Sequence, residues 1–144
     1  GMGGLLIRDI LDKDRNKRDS ITHFILQPNV ASRELREYLY INSFEIIDEK
    51  LVKEDDKFYE IIYAKKGKSI VEDYIHYEIG EKLILKKDPL LKDFVEEKIS
   101  ILNNVLEKLK DKNTEKSKNR YEEIVMEVNK LKEVLKGIEG NRYN

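Results

Sequence analysis

The fold of this chain follows from residues 21–29, whose sequence is ITHFILQPN. The β-branched and aromatic side chains at its start predict a buried strand over Ile21–Leu26, and residues 27–29 predict the end of that strand. Ser32 is placed to cap a helix, because apolar residues recur three and four positions apart behind it. We therefore predict a strand that leads directly into a helix, as in an α/β protein.

Two further strands are predicted on the C-terminal side of this helix. They cover Phe44–Lys53 and Phe58–Lys66, and only the charged turn Glu54–Lys57 separates them. So short a link leaves no room for a crossover helix, because parallel strands need a dozen or more connecting residues. The two strands are therefore predicted to form an antiparallel hairpin.

On the N-terminal side a glycine-rich turn, Gly1-Met2-Gly3-Gly4, opens a helix with apolar residues at positions 6, 7, 10 and 11. The polar stretch Asp12–Asp19 is predicted to end this helix. In α/β proteins such a turn normally follows a strand and places backbone N–H groups beside a ligand, but no strand precedes it here. The order helix, strand, helix, strand, strand predicts the C-terminal half of a Rossmann-like domain over residues 1–68, with a three-stranded remnant of its sheet.

The rest of the chain has a different pattern. Residues 69–87 are predicted to be a connector, because their strand-like alternation is incomplete. Asp88 as N-cap and Pro89 as first helical residue predict a helix whose apolar residues follow a 3.5-residue repeat. A second such repeat follows a polar break, so residues 88–140 are predicted to form an antiparallel α-helical coiled-coil hairpin. Residues 141–144 are the expected tail.

Composition excludes several kinds of protein. With 28 basic and 29 acidic residues, the chain has no overall basic excess that would by itself point to nucleic acid. The absence of cysteine excludes disulfides, thiolate zinc sites and a cysteine nucleophile, and it suits the cytoplasm. No apolar run is long enough to span a membrane. His23 and His76 have no further ligands at metal-binding spacing, so we expect both to be structural and predict no metal.

Three motifs of the chain resemble those of a bacterial family of S-adenosylmethionine-dependent tRNA (adenine-N1)-methyltransferases, which modify an adenine in the D-loop. They are Gly1-Met2-Gly3-Gly4, Leu26-Gln27-Pro28-Asn29 and Lys57-Phe58-Tyr59-Glu60. The resemblance covers essentially the whole chain in the same order, because the family carries a C-terminal coiled-coil hairpin behind a Rossmann-like domain. It implies that tRNA is the substrate.

One part of the family pattern has no counterpart in this sequence. The first strand of the family is followed by a glycine-containing loop and an acidic residue that holds the cofactor ribose. In this fold class the cofactor lies across the carboxyl ends of the first strands. The resemblance therefore implies S-adenosylmethionine as the cofactor of the full-length family, whereas we expect no cofactor to bind tightly to this chain alone.

The resemblance implies that this chain supplies the target-base side of the active site. The backbone of the glycine turn would line the pocket between the methyl donor and adenine. Gln27 and Asn29 would hydrogen-bond the Watson–Crick edge of a flipped base, with Pro28 stiffening their turn. Tyr59 would serve as a stacking platform. If the resemblance is set aside, the alternatives are purely structural: the glycine turn is a tight turn, residues 27–29 end a strand and start a helix, and Tyr59 is a cross-strand packing residue.

A basic cluster lies at the loop between the two predicted C-terminal helices. From Lys108 to Arg120 the chain has six basic and two acidic residues, and Lys112, Lys116 and Lys118 are among the basic ones. A basic tip on a protruding arm suits contacts with tRNA phosphates. A solvated loop in a lysine-rich protein is the equally open alternative. Arg8, Arg15, Lys17 and Arg18 make up a second, weaker basic group.

Two hypotheses of function follow. In the first, the chain is the C-terminal part of a tRNA methyltransferase and is inactive without its cofactor-binding half. In the second, it is a non-catalytic remnant or an interaction module that self-associates through the coiled coil and an exposed sheet edge. Both predict a homodimer, because the predicted strand Ile21–Leu26 has the composition of a central strand and would lie uncovered at an edge.

Overall fold

The computed structural model of this protein describes residues 2–140, so Gly1 of the glycine turn and the predicted tail 141–144 lie outside the described residues. The chain divides into two compact units, one ending at Leu90 and the other beginning at Leu91. The segment 69–87 thus belongs to the first unit. The first unit consists of α1 (Gly4–Lys13), α2 (Arg15–Ser20), β1 (His23–Leu26), α3 (Ser32–Ile41), β2 (Phe44–Glu54), β3 (Lys57–Lys66), α4 (Ile75–Glu78) and α5 (Glu81–Leu85).

The three strands form one sheet in the order β1-β3-β2, with β3 antiparallel to both neighbours. The predicted antiparallel hairpin of β2 and β3 is confirmed. Asp55 and Asp56 form its turn with φ angles of 50° and 63°. Two positive φ angles match the twist of a two-residue hairpin loop. Because β1 and β2 both run against β3, they are parallel to each other, and the carboxyl end of β1 lies at the same sheet edge as the start of β3.

Helices α1 and α3 pack on one face of this sheet. The buried core between them contains Ile7 of α1, Leu35 and Leu39 of α3, and five strand residues. Those strand residues are Phe24, Phe44, Ile46, Ile62 and Ala64. Alternate residues of a strand point to opposite faces, so the neighbours of these core residues lie on the other face of the sheet. Ile25 is one of them, and its side chain is 73% exposed.

The N-terminal helices differ from their prediction in two ways. Ile7 is buried and Leu11 packs against the core, but Leu6 and Ile10 are both about half exposed. The polar stretch Asp12–Asp19 ends the first helix at Lys13, as predicted, but it also contains α2. The Asp14 side chain accepts a hydrogen bond from the backbone N–H of Lys17 and so caps this second helix. Asp14 is thus both the C-cap residue of α1 and the N-cap residue of α2.

Strand β1 is two residues shorter than the predicted strand. Its predicted first residue, Ile21, donates its backbone N–H to the carbonyl of Arg18 and closes the last turn of α2. Thr22 still accepts a hydrogen bond from Lys66 of β3, but the ladder assigned to β1 starts at His23. The backbone N–H of Ile21 therefore bonds to the end of α2 and is not available to extend the strand.

The second unit consists of α6 (Leu91–Leu109) and α7 (Glu115–Glu139). The two helices run antiparallel, because the start of α6 lies beside the end of α7. Nζ of Lys92 in α6 is 3.8 Å from Oε1 of Glu139 in α7. Helix α7 buries Ile124, Val128, Leu131 and Val134 at the spacing of the predicted seam. Helix α6 begins at Leu91, two residues after the predicted start at Pro89. The Asp88 carboxylate accepts the backbone N–H of Leu90, the bond expected of an N-cap residue, and it also accepts the N–H of Leu51.

Candidate active-site edge of the sheet

A cavity of about 450 Å³, called the edge cavity below, opens where β1 ends and β3 begins. It brings together four residues that the sequence had singled out: Met2, Gln27, Asn29 and Tyr59. The rest of its lining is aliphatic and comes from α1 and β1: Ile7, Ile10, Leu11, Ile25 and Leu26. The exposure of Ile10 and Ile25 is thus explained in part, because both face this cavity and not the core.

The glycine turn is joined to the loop after β1 by close backbone contacts. The N–H of Gly4 donates to the carbonyl of Val30 at 2.6 Å, and the N–H of Asn29 donates to the carbonyl of Met2 at 3.0 Å. A Cβ atom on Gly4 would overlap the carbonyl group of Ala31. Ala31 itself has a φ of 57°, a left-handed conformation that costs a non-glycine residue energy. Only glycine at position 4 allows this approach, which fixes the position of Asn29.

Two other residues of these motifs do not line the cavity. Gly3 is half-buried, and a Cβ atom added there would come within 2.9 Å of Cγ2 of Val30 and lie in ordinary contact with Oδ1 of Asn29, at 3.5 Å. Pro28 is fully buried. Its ring fixes φ, and it has no N–H that needs a hydrogen-bond partner. Pro28 therefore restrains the loop between the exposed amides of Gln27 and Asn29. The predicted helix cap also moves by one residue, since Ala31 is the N-cap of α3 and Ser32 its first residue.

The edge cavity offers unsatisfied hydrogen-bonding groups on an apolar wall. The side-chain amides of Gln27 and Asn29 are exposed and have no hydrogen-bond partner among residues 2–140. Each amide can both donate and accept. Tyr59 is half-buried and lies opposite Val52 in the sheet, so its packing role and a stacking role are both compatible with its position. The lining suits a flat ligand with an apolar face and a polar edge.

The same lining meets only part of the needs of a nucleoside cofactor. A ribose in this fold class is held through its hydroxyl groups by an acidic side chain. No carboxylate lines the edge cavity in the part of the chain that the structure describes. The residues present therefore fit a methyl-bearing group or a base beside Met2, and they do not fit the ribose.

A buried ion cluster, missed by the sequence analysis, lies on the core side of the sheet. Arg36 is fully buried, and its Nε and Nη2 donate to Oε1 of Glu49 at 2.7 Å and to Oε1 of Glu60 at 2.6 Å. Its Nη1 donates to the carbonyl of Tyr77 at 2.9 Å, and Glu49 accepts the backbone N–H of Lys82. These bonds tie α4 and α5 to the sheet. The two carboxylates hold the pKa of Arg36 above its usual value despite its burial.

The sequence did contain a signal for this cluster. Arg36 occupies the i+4 position of the buried series Ser32, Leu35, Arg36 and Leu39, which is the core face of α3. Glu60 likewise shares the alternation of Ile62 and Ala64 on β3. Charged residues on two buried faces that meet across a sheet predict a buried ion pair. Burial next to Glu49 also raises the pKa of Tyr40 to about 12.

The basic cluster of the second unit surrounds the start of α7. Lys112, Lys116 and Lys118 are exposed, and none of them forms a salt bridge with a residue in the described range 2–140. Their neighbours Lys110 and Arg120 are paired with Glu107 and Glu123 on the helix surface. The three unpaired ammonium groups are thus available to an external anion.

The two histidines contact an aromatic ring and a backbone carbonyl. His23 stacks on Tyr63 with ring centroids 5.7 Å apart, and His76 lies 3.4 Å from the carbonyl of Ile79. Residues 2–140 contain no group of three or more histidine or carboxylate side chains arranged for a metal ion. Within the same residues, no helix has the length and apolar character needed to cross a membrane.

Comparison with known proteins assigns the chain to a family. The model of the family described as "TrmK: tRNA (adenine(22)-N(1))-methyltransferase" matches residues 1–133. The tRNA (adenine(22)-N(1))-methyltransferase of Bacillus subtilis is 32% identical over 142 residues, which are 94% of this chain and 59% of that protein. The chain thus spans less than two thirds of the length of this relative.

Solved structures agree in fold. The B. subtilis m1A22 tRNA methyltransferase TrmK superposes with a TM-score of 0.83 at 29% identity, covering 94% of this chain and 60% of that one. Mycoplasma capricolum TrmK in complex with S-adenosyl-homocysteine gives 0.76 at 27%, covering 96% and 58%. A protein of the NADB-Rossmann superfamily from Streptococcus agalactiae gives 0.82 at 28%, covering 94% and 57%. The resemblance seen in the three motifs is confirmed, and the chain belongs to the TrmK family of tRNA (adenine(22)-N(1))-methyltransferases.

Proposed function

We propose that this chain supplies the target-base side of the active site of an S-adenosylmethionine-dependent tRNA (adenine-N1)-methyltransferase, together with a tRNA-binding helical arm. In this proposal residues 1–68 are the C-terminal half of a Rossmann-like domain, and residues 88–140 form an antiparallel coiled coil. The cofactor-binding half of the domain has to be added, and without it the chain transfers no methyl group. The edge cavity is the observation that carries the proposal.

The edge cavity has the size, shape and donor set for a flipped adenine. The aliphatic wall and Tyr59 offer two surfaces for the ring, and the unpartnered amides of Gln27 and Asn29 lie at its rim. An amide carbonyl there would accept a hydrogen bond from the exocyclic amino group and leave N1 unblocked. A protein that must distinguish adenine from other bases needs such buried or rim polar groups.

The chemistry asks for positioning more than for a base. When bound, S-adenosylmethionine supplies a methyl group that leaves its sulfonium sulfur as the lone pair of adenine N1 takes it. N1 has no proton to lose before this step. Gln27 and Asn29 therefore orient the ring, the aliphatic wall excludes water, and the bonds at Gly4 and Asn29 keep both in register.

A fused polypeptide tests this assignment. The chain is joined behind the cofactor-binding part of the B. subtilis relative, and methyl transfer to tRNA is compared between the parent fusion and the Gln27→Ala/Asn29→Ala variant. We expect kcat to fall about a hundredfold, since loss of the groups that position a reacting ring has effects of that size. KM for tRNA changes little, because the arm still holds the substrate.

The control for this experiment is Asn16→Ala, which removes an exposed amide on α2, away from the edge cavity. It leaves kcat as in the parent fusion. A double variant at Gln27 and Asn29 with the parental kcat would contradict the assignment of the base-side site.

The helical arm has its own test in the same fusion. Reversal of charge at Lys112, Lys116 and Lys118 to Glu removes up to three phosphate contacts. Affinity for tRNA should fall about a hundredfold, and the slope of log affinity against log salt should lose about two to three units. Lys50, Lys132 and Lys136 changed to Glu give the same net charge at exposed sites elsewhere. Equal behaviour of the two triple variants would refute an RNA-binding arm.

A second candidate role is self-association. Strand β1 pairs with β3 on one side only among the described residues, and Ile25 beside its other edge is 73% exposed. An uncovered apolar edge is a template for pairing with another chain. In this role the isolated chain forms a homodimer and catalyses nothing.

A further inference from the structure

A second cavity, of about 390 Å³, lies at the opposite edge of the sheet, where β1 begins and β3 ends. We refer to it as the basic cavity. It is lined by Arg18, Asp19, Asn42, Ser43, Lys66, Gly67 and Lys68. Lys66 lies seven positions after Tyr59 on β3, so the two cavities are about 23 Å apart along the strand. Among the described residues, none of the glycine turn and none of the predicted base site lines it.

Arg18 is held rigidly at the wall of this cavity. Its side chain is 7% exposed, and its guanidinium lies 5.8 Å from the ring centre of Tyr38 and 5.9 Å from that of Phe44. Nε donates to Asp19 at 2.9 Å, and Nη1 donates to the Tyr38 hydroxyl at 2.6 Å. These bonds fix the plane of the guanidinium. Nη2 has no hydrogen-bond partner within residues 2–140, which leaves one side of the fork for a ligand.

The remaining groups add positive charge and donors. Lys66 and Lys68 are exposed, and neither forms a salt bridge with any residue that the structure describes. The Ser43 hydroxyl has no partner there either, and a hydrogen bond of 2.9 Å from the N–H of Gly67 to the carbonyl of Ser43 fixes the cavity floor. Within residues 2–140, Asp19 is the one carboxylate of the lining, and it already accepts from Arg18.

We propose that the basic cavity binds a phosphate group, with one side of the Arg18 fork and the Lys66 and Lys68 ammonium groups facing its oxygens. A planar guanidinium with a free N–H edge and two flexible ammonium groups is the donor set that phosphate recognition uses. Asp19 and Asp12, the latter with Oδ1 3.8 Å from Nη1 of Arg18, offset two of these three positive charges, so a net positive charge remains to attract an anion. The phosphate is either free or part of an RNA backbone, and the two sources share this chemistry.

The test uses the 144-residue chain and inorganic phosphate at constant ionic strength. Backbone amide resonances of Ser43 and Gly67 are followed during the titration. We expect saturable shifts in the millimolar range, and a Lys66→Ala/Lys68→Ala variant should weaken binding about tenfold. Both lysines are exposed, so the fold is kept, and Lys68→Ala alone, outside β3, serves if the double variant does not fold. Lys50→Ala/Lys132→Ala is the matched control and should behave as the parent.

The outcome decides the proposal without reference to methyl transfer. Shifts that do not saturate, or that are equal in the parent and the lysine variant, overturn it. If phosphate binds, the same variant is assayed for tRNA affinity in the fusion described above. A loss of affinity with a salt slope lowered by about one to two units assigns the site to the RNA backbone. Unchanged tRNA affinity assigns it to a free phosphate compound.

Discussion

The Arg36 cluster and the edge cavity lie in the same unit, but they treat polar groups in opposite ways. In the cluster, Arg36 uses both sides of its guanidinium on two carboxylates and a carbonyl, and every group is buried and partnered. In the cavity, the amides of Gln27 and Asn29 are exposed beside aliphatic side chains and have no partner among the described residues. A cluster whose polar groups are all paired stabilises the fold, whereas amides without a protein partner beside apolar side chains are available to a ligand.

The two regions also differ in their backbone. The loop that carries Gln27 and Asn29 is fixed by the glycine turn and by a left-handed Ala31, so its free amides are held on a rigid support. Strain is tolerated where it positions functional groups. The Arg36 cluster needs no such strain, because long side chains reach their partners across regular elements.

The largest effect is expected from Arg36→Met. Loss of the guanidinium leaves Glu49 and Glu60 buried without a cation, which typically costs about 3–5 kcal/mol in the free energy of unfolding. Chemical denaturation of the chain measures this, with the exposed Arg33→Met on the same helix as control. An Arg36→Met variant as stable as the Arg33→Met variant would show that the cluster does not hold this unit together.

The next effect concerns alkaline pH and the cluster's neighbour Tyr40. Its pKa in the folded chain is about 12, above the ordinary value of 10, because it is buried near Glu49. The folded state therefore keeps this proton longer than the unfolded state, so the contribution to stability is full below pH 10 and is lost as pH rises to 12. The difference in phenolate absorbance between the parent and Tyr40→Phe gives the midpoint.

A midpoint near the ordinary value would place Tyr40 outside the influence of the buried carboxylates. The Tyr40→Phe variant also has a stability readout. Its free energy of unfolding should fall less steeply than that of the parent over the same alkaline range.

Gly4→Ala comes third and acts on the support of the edge cavity. The new methyl group overlaps the carbonyl of Ala31, and overpacking of this kind costs about 1–3 kcal/mol. The amide resonances of Asn29 and Val30 should shift, whereas the resonances of the Arg36 side chain stay in place. Gly3→Ala is the matched control, because the atom it meets is the tip of the Val30 side chain, which can move. Equal costs for the two variants would remove the special role of position 4.

The smallest change in stability is expected from Ile25→Lys. This side chain is largely exposed, so the free energy of unfolding should stay within about 0.5 kcal/mol. A charge beside the open edge of β1 opposes pairing with a second chain. Sedimentation should find a dimer for the parent at high concentration and a monomer for the variant. A parent that stays at 17.1 kDa at all concentrations contradicts the homodimer.

The sequence was sufficient where local patterns decide the structure. The hairpin of β2 and β3 followed from two strand patterns around a four-residue charged turn, and the edge that gathers Gln27, Asn29 and Tyr59 followed from the strand order. It was insufficient where distant groups compete for one partner. The N–H of Ile21 closes α2 instead of extending β1, and the Asp88 carboxylate also accepts the N–H of Leu51, 37 residues away in the sequence. Such choices depend on three-dimensional neighbours that a one-dimensional pattern does not contain.

The sequence analysis singled out the polar residues of the candidate site but not the backbone contacts that support them. Gln27 and Asn29 were identified from the family motif, but the overlap of Gly4 with Ala31 and the burial of Pro28 are visible only in space. Arg36 shows the reverse case, since its position on the buried face of α3 was present in the periodicity and was overlooked. Charged residues at core positions are therefore worth the same attention as apolar ones.

Calorimetry of this chain with S-adenosylmethionine tests most directly whether the edge cavity is only the base side of a site. The apolar lining without a carboxylate for the ribose predicts binding weaker than about 1 mM, with no methyl transfer to tRNA by the chain alone. Micromolar binding of S-adenosylmethionine by these residues would contradict the account.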